Sequence, residues 1–199
     1  MPQIVQLPGP FCWISGCMGQ VKTVRGAAGA CGAVFPGFKC HWIDGPVGKI
    51  FARVGGKGPP VVLIHGFPQT HAEWHKIAPE LAKTHTVVCP DLRGYGWSAA
   101  PHGDGGKATY SKRGSGEDIV AVMQALGHLR FAVIGHDRGA RVGYRLALDH
   151  PGRVERLALL DIMPTISMWE GMNAMRAMQV YHWTFLAQPE PVPERLLKT

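Results

Sequence analysis

Apolar positions along the chain fall into short runs separated by longer segments of helical period. Lys39 to Ile43 and Lys49 to Val54 read as two short strands around the turn Asp44-Gly45-Pro46, and Gly55-Gly56-Lys57-Gly58-Pro59 reads as another turn. Val61 to Ile64 is continuously apolar, which predicts a strand buried on both faces. A helix from about Ala72 to Lys83 follows, then the strand Thr86 to Cys89 and a glycine-punctuated loop from Pro90 to Pro101. Ser111 to Leu126 reads as a helix weakened by Gly114 and Gly116, with Gly127 as its stop. Phe131 to Ile134 is the next strand, Arg138 to His150 a helix halted by Pro151, and Val154 to Leu160 a further strand ending at Asp161. Strands alternating with helices predict an α/β fold with a mostly parallel sheet covered on both faces. Such sheets bind ligands at the carboxyl ends of their strands, where His65-Gly66-Phe67, Asp137 and Asp161 all fall.

Both ends leave this pattern. Residues 1–34 are rich in Gly, Ala and Cys without a sustained period, and read as a poorly ordered extension. Ser167 to Leu186 carries a stripe of Met168, Met172, Met175, Met178, Tyr181, Trp183 and Phe185. One reading is a helical lid inserted over the site; the other is a helix face packed on the core. The expected organisation is an extension over 1–34, a core over 35–165 and the start of a helical lid over 166–199. No internal repeat is visible.

With 199 residues, of which 46% are hydrophobic, the chain has material for one domain with a real core. A net charge of +7 raises the question of an anionic partner, but Lys and Arg are scattered with no aromatic-interleaved basic run. Nucleic acid is therefore not expected, and a small anionic substrate is. The five cysteines include Cys12, Cys17, Cys31 and Cys40 at spacings that match no zinc pattern, so free thiols in a reducing compartment and no metal are expected. No secretory leader or membrane-length apolar run is present, which points to a cytoplasmic protein with no membrane partner.

The chemistry is concentrated in Gly135-His136-Asp137-Arg138-Gly139-Ala140-Arg141, between a predicted strand and a predicted helix. A glycine-flanked turn in that setting pushes its central side chain out above the sheet, the arrangement known as a nucleophile elbow. The central residue here is Asp137. A carboxylate is suited to displacing a leaving group from carbon and becoming an ester. Arg138 and Arg141, three apart at the helix start, share a face beside it.

These residues resemble the α/β-hydrolase superfamily, and within it the fluoroacetate (haloacetate) dehalogenases. The resemblance runs from about Phe35 to the C-terminus. It rests on His65-Gly66-Phe67-Pro68-Gln69-Thr70-His71, Asp91-Leu92-Arg93-Gly94-Tyr95-Gly96-Trp97-Ser98, Gly135 to Val142, Leu160-Asp161-Ile162-Met163-Pro164-Thr165 and Tyr181-His182-Trp183. It implies an α/β-hydrolase fold in which Asp137 is the nucleophile and Asp161 orients a catalytic histidine. The N–H groups of Phe67 and Arg138 would form the oxyanion hole. Arg138 and Arg141 would grip the substrate carboxylate, and His182 and Trp183 would donate to the departing halide. Arg145 is expected in a surface ion pair, and Asp91 and Asp149 are expected to be structural; His102 and Asp104 match nothing in the family.

The family uses no cofactor, and its full-length members suggest a homodimer. Its catalytic histidine follows the lid, and none of the ten histidines here occupies that place, so the chain reads as a C-terminally truncated fragment. Three functions follow: hydrolytic dehalogenation of a short 2-haloacid, epoxide hydrolysis by the same nucleophile, or an inactive remnant. Position 138 separates the first two, because Arg favours an anionic substrate where epoxide hydrolases usually carry Trp.

Overall fold

The computed structural model describes residues 34–102, 108–189 and 191–198. The expected extension lies, but for Val34, outside these residues, as do Cys12, Cys17, Cys31 and Asp104. The chain divides into two compact units at Ile162/Met163.

The first unit is built on a six-stranded sheet in the order β1-β2-β4-β3-β5-β6. Its strands are β1 (Lys39–Gly45), β2 (Gly48–Gly55), β3 (Pro60–Ile64), β4 (Thr86–Pro90), β5 (Phe131–His136) and β6 (Val154–Leu160). β1 and β2 form an antiparallel hairpin, and β2 also runs antiparallel to β4. From β4 through β3 and β5 to β6 every pairing is parallel. Ile64 pairs with Gly135 and His136 with Leu160, so the carboxyl ends of β3, β5 and β6 align.

Alternate residues of one strand serve two cores, as a strand buried on both faces requires. Val62 and Ile64 of β3 pack with Ile119, Met123, Val142 and Leu146, while Val61 and Leu63 pack with Phe35, Trp74 and Ala78. The first core is roofed by α2 (Lys112–Ala125) and α3 (Arg138–Asp149). Two glycines near the start of α2 do not prevent it. Ser111 Oγ caps the Gly114 amide at 3.0 Å, and Arg93 holds both the Gly114 carbonyl at 2.6 Å and Asp118 through a fork of 2.6 and 2.8 Å.

Three expectations need correction. The helix expected over 72–83 is a 3-10 turn, His71–Lys76, followed by the one-turn α1 (Ala78–Leu81), because Pro79 has no N–H to continue the first. The single helix expected over Ser167–Leu186 is three: α4 (Thr165–Glu170), α5 (Ala174–Gln179) and α6 (Tyr181–Leu186), followed by α7 (Val192–Leu197). The first break comes where Gly171 closes α4 and Asn173 Oδ1 caps the Arg176 amide at 2.9 Å to start α5. Finally, the free-thiol expectation holds for buried Cys89 and fails for Cys40, which is disulfide-bonded. Spacing along a chain does not report which sulfurs a fold brings together.

Candidate active site

β5 ends at His136, and Asp137 turns the chain into α3 with φ of 45°. Left-handed backbone is uncommon for a residue with a Cβ, and here it aims the Asp137 side chain out of the sheet. The turn is possible because a Cβ on Gly139 would lie 2.1 Å from the Ile64 carbonyl oxygen and one on Gly135 would lie 2.6 Å from the Ala140 nitrogen. The Asp137 amide donates to the Leu160 carbonyl at 3.1 Å, tying the elbow to the end of β6.

Asp137 Oδ2 accepts from the Phe67 amide at 3.2 Å and from the Arg138 amide. The two donors expected to form an oxyanion hole therefore converge on one carboxylate oxygen. His65 holds the Phe67 amide in that direction. Its Nε2 accepts from the Leu92 amide at 3.0 Å and its Nδ1 donates to the Gly66 carbonyl at 2.8 Å, which fixes the peptide plane bearing the Phe67 N–H. Burial pushes the His65 pKa down, in keeping with a neutral ring that uses both nitrogens. Gly66 has no room for a side chain, since a Cβ there would meet Asp137 Cβ and His136 Nδ1, each at 2.9 Å.

Cations flank the carboxylate. Arg138 lies over the rings of Phe67 at 5.5 Å and Tyr95 at 6.0 Å, stacking that steers its guanidinium. Arg141 is buried; burial lowers its pKa, against the pull of Asp137 and Tyr144. The sequence did not single out Lys112, whose half-buried ammonium is pushed down to about 8 by burial and by Arg138 and Arg141, with Asp137 opposing. It also passed over Tyr95 and Glu73. Glu73 Oε2 accepts from the Gly66 amide at 2.9 Å, and its Oε1 lies 2.5 Å from His136 Nδ1. A Thr-x-x-Glu spacing from Thr70 would have marked Glu73 only as half of a helix-capping box.

Asp161 follows β6 with φ of 50°, and among the described residues only it and Asp137 combine a side chain with positive φ. Its carboxylate is 91% exposed, with Oδ2 3.8 Å from His136 Nε2. His182 and Trp183 are adjacent on α6 in the second unit, where Trp183 packs against Trp169 at 5.8 Å. Asp91 is fully buried. Burial alone would raise its pKa, but the His71 side chain and amide, at 2.9 and 2.7 Å, hold it below the usual range, and it also accepts from the Trp97 amide at 3.0 Å. It clamps two loops. Asp149 takes Arg145 at 2.7 Å and Arg113 at 3.0 Å, a structural arrangement. Among the described residues no group of three or more His, Cys, Asp and Glu is placed to hold a metal ion, and no helix is long and apolar enough to cross a membrane.

Known proteins resemble this chain in sequence and fold. The chain is 47% identical to fluoroacetate dehalogenase of Burkholderia sp over 82% of its length and 54% of that protein's. It is 36% identical to soluble epoxide hydrolase of Corynebacterium sp. (strain C12) over 66% of its length and 41% of that protein's. A crystal structure from Nostoc sp PCC 7120, described as that of an alpha/beta hydrolase, superposes with a TM-score of 0.79 at 51% identity, covering 80% of this chain and 55% of that one. The chain thus spans about half the length of the relatives it matches. A family model for the alpha/beta hydrolase fold matches residues 59–195, and the chain belongs to that family.

Proposed function

We propose that this chain serves hydrolytic dehalogenation of a short 2-haloacid through an ester on Asp137. The observation that carries this reading is the Asp137 carboxylate, with Oδ2 on two amide donors and with Arg138 and Arg141 beside it. Oδ1, the oxygen outside the amide pair, attacks the halogen-bearing carbon, and the C–X electron pair leaves with the halide. Oδ2 becomes the ester carbonyl oxygen. Water then attacks Cγ, the negative charge gathers on Oδ2 between the Phe67 and Arg138 amides, and collapse releases the 2-hydroxyacid and a proton. The guanidinium forks of Arg138 and Arg141 suit the substrate carboxylate. Asp161 would orient the histidine that accepts the water's proton, and His182 and Trp183 would supply N–H donors to the halide.

The test is to incubate the protein with chloroacetate and fluoroacetate in H₂¹⁸O and to follow halide and peptide mass. An ester on the Asp137 peptide, or ¹⁸O in its carboxylate after turnover, is the expected result, and Asp137→Asn should abolish both. Halide release that persists in that variant would overturn the reading. A Corynebacterium relative named as an epoxide hydrolase makes a small epoxide the necessary comparison substrate; faster ester formation from it than from haloacetate would favour that reaction.

A further inference from the structure

Glu73 is a carboxylate placed among backbone groups of the site with no part in the reaction just described. It comes from the 3-10 turn His71–Lys76 and joins two pieces of the site. Oε2 accepts from the Gly66 amide at 2.9 Å, one residue before the oxyanion donor Phe67. Oε1 stands 2.5 Å from Nδ1 of His136, one residue before Asp137, and the same imidazole reaches toward Asp161 with Nε2 at 3.8 Å. Both peptide planes of Gly66 are thereby pinned, the following one by His65 and the preceding one by Glu73.

We propose that Glu73 is a positioning residue for the oxyanion hole, holding the Gly66–Phe67 backbone and the His136 ring in register so that the Phe67 amide stays aimed at Asp137 Oδ2. This rests on the aspartyl-ester reading above. Burial raises the Glu73 pKa in spite of the Gly66 and His136 contacts, with Asp137 adding repulsion, so the fold holds this carboxylate against an electrostatic cost. Its effect should fall on the step that places charge on Oδ2, attack on the ester carbonyl, and not on halide displacement, in which Oδ2 gains no charge.

The experiment compares wild type, Glu73→Ala and Glu73→Gln. Amide hydrogen exchange at Gly66 and Phe67 is read first. The ester from chloroacetate is then cleaved with hydroxylamine, which attacks the acyl carbon without a general base. Glu73→Ala should speed exchange at Gly66 roughly tenfold or more, the scale of one lost charge-assisted hydrogen bond. It should also slow ester cleavage while leaving ester formation near the wild-type rate. Glu73→Gln keeps an acceptor for the Gly66 amide and should restore most of both. Unchanged exchange in the alanine variant overturns the proposal. So does a glutamine variant that behaves like alanine, or a parallel fall in ester formation and cleavage. If wild type forms no ester, the aspartyl reading fails, and the exchange data still decide whether Glu73 orders this loop.

Discussion

Phe67 N donates to Asp137 Oδ2 at 3.2 Å across seventy residues of chain. The contact distinguishes the two carboxylate oxygens: Oδ2 is held by backbone amides, and Oδ1 is the one that the proposed reaction uses to attack carbon. It also makes the β3 loop as much a part of the site as the elbow. Gly66→Ala puts a Cβ 2.9 Å from Asp137 Cβ and should push that loop away. Loss of one oxyanion donor typically costs about 10²–10³ in rate. With hydroxylamine as the attacking nucleophile, ester cleavage should slow by that order while ester formation changes far less, a split measured by intact mass over time. Equal slowing of both steps would show that the loop matters to displacement as well.

Arg138 and Arg141 should set the preference for an anion. Losing a charge-assisted contact to the substrate carboxylate costs about 1.5–3 kcal/mol, on the order of tenfold to a hundredfold in apparent affinity. Replacing either arginine by Met should therefore erode the advantage of chloroacetate over chloroacetamide in ester formation, and replacing both should remove it. An advantage that survives both replacements would rule out the arginine pair as the carboxylate clamp.

Much of this site is legible in the sequence because its elements follow local rules. Gly135 to Ala140 announces a tight turn between an apolar run and a helix, and the structure places Asp137 there at positive φ. Phe67 and Arg138, seventy-one residues apart in the chain, meet because β3 and β5 are neighbours in a parallel sheet. The rest of the site follows no local period. Glu73 reads as a cap partner of Thr70, yet its oxygens turn to Gly66 and His136. Lys112 is one more position of the helix read over Ser111 to Leu126, and only the packing of α2 beside α3 brings it near Arg138. The stripe from Met168 to Phe185 suggests one helix, because apolar periodicity does not register the cap that Asn173 provides.

Lys112 gives the site a pH signature. Its ammonium is pushed down to about 8, chiefly by burial and by its cationic neighbours, so it contributes positive charge below that pH and loses it above. Binding of an unreactive anion such as acetate should weaken as pH rises through about 8, by up to about 1 kcal/mol or roughly fivefold for a partly exposed charge. Lys112→Met should abolish this step. Stability should show the opposite sign. The folded pKa lies below the ordinary lysine value, so between about 8 and that value the unfolded chain holds the extra proton and stability rises with pH. The methionine variant should lack that rise in thermal melts. A pH-independent anion affinity in wild type would remove Lys112 from the site.

The 199-residue chain itself should stop at the ester. Two imidazoles of the first unit, His65 and His136, lie beside the elbow, and each faces other protein groups. His65 is buried with both nitrogens in hydrogen bonds, and His136 stands between Glu73 at 2.5 Å and Asp161 at 3.8 Å. Where neither imidazole takes the proton from water attacking Cγ, that step loses a factor of about 10²–10⁴. Displacement needs no base and should proceed. Excess chloroacetate should thus release about one halide per polypeptide, with the Asp137 peptide carrying the added carboxymethyl mass. Many equivalents of halide from this chain alone would point to His136 as the base, and His136→Gln would then be expected to restore the one-equivalent limit.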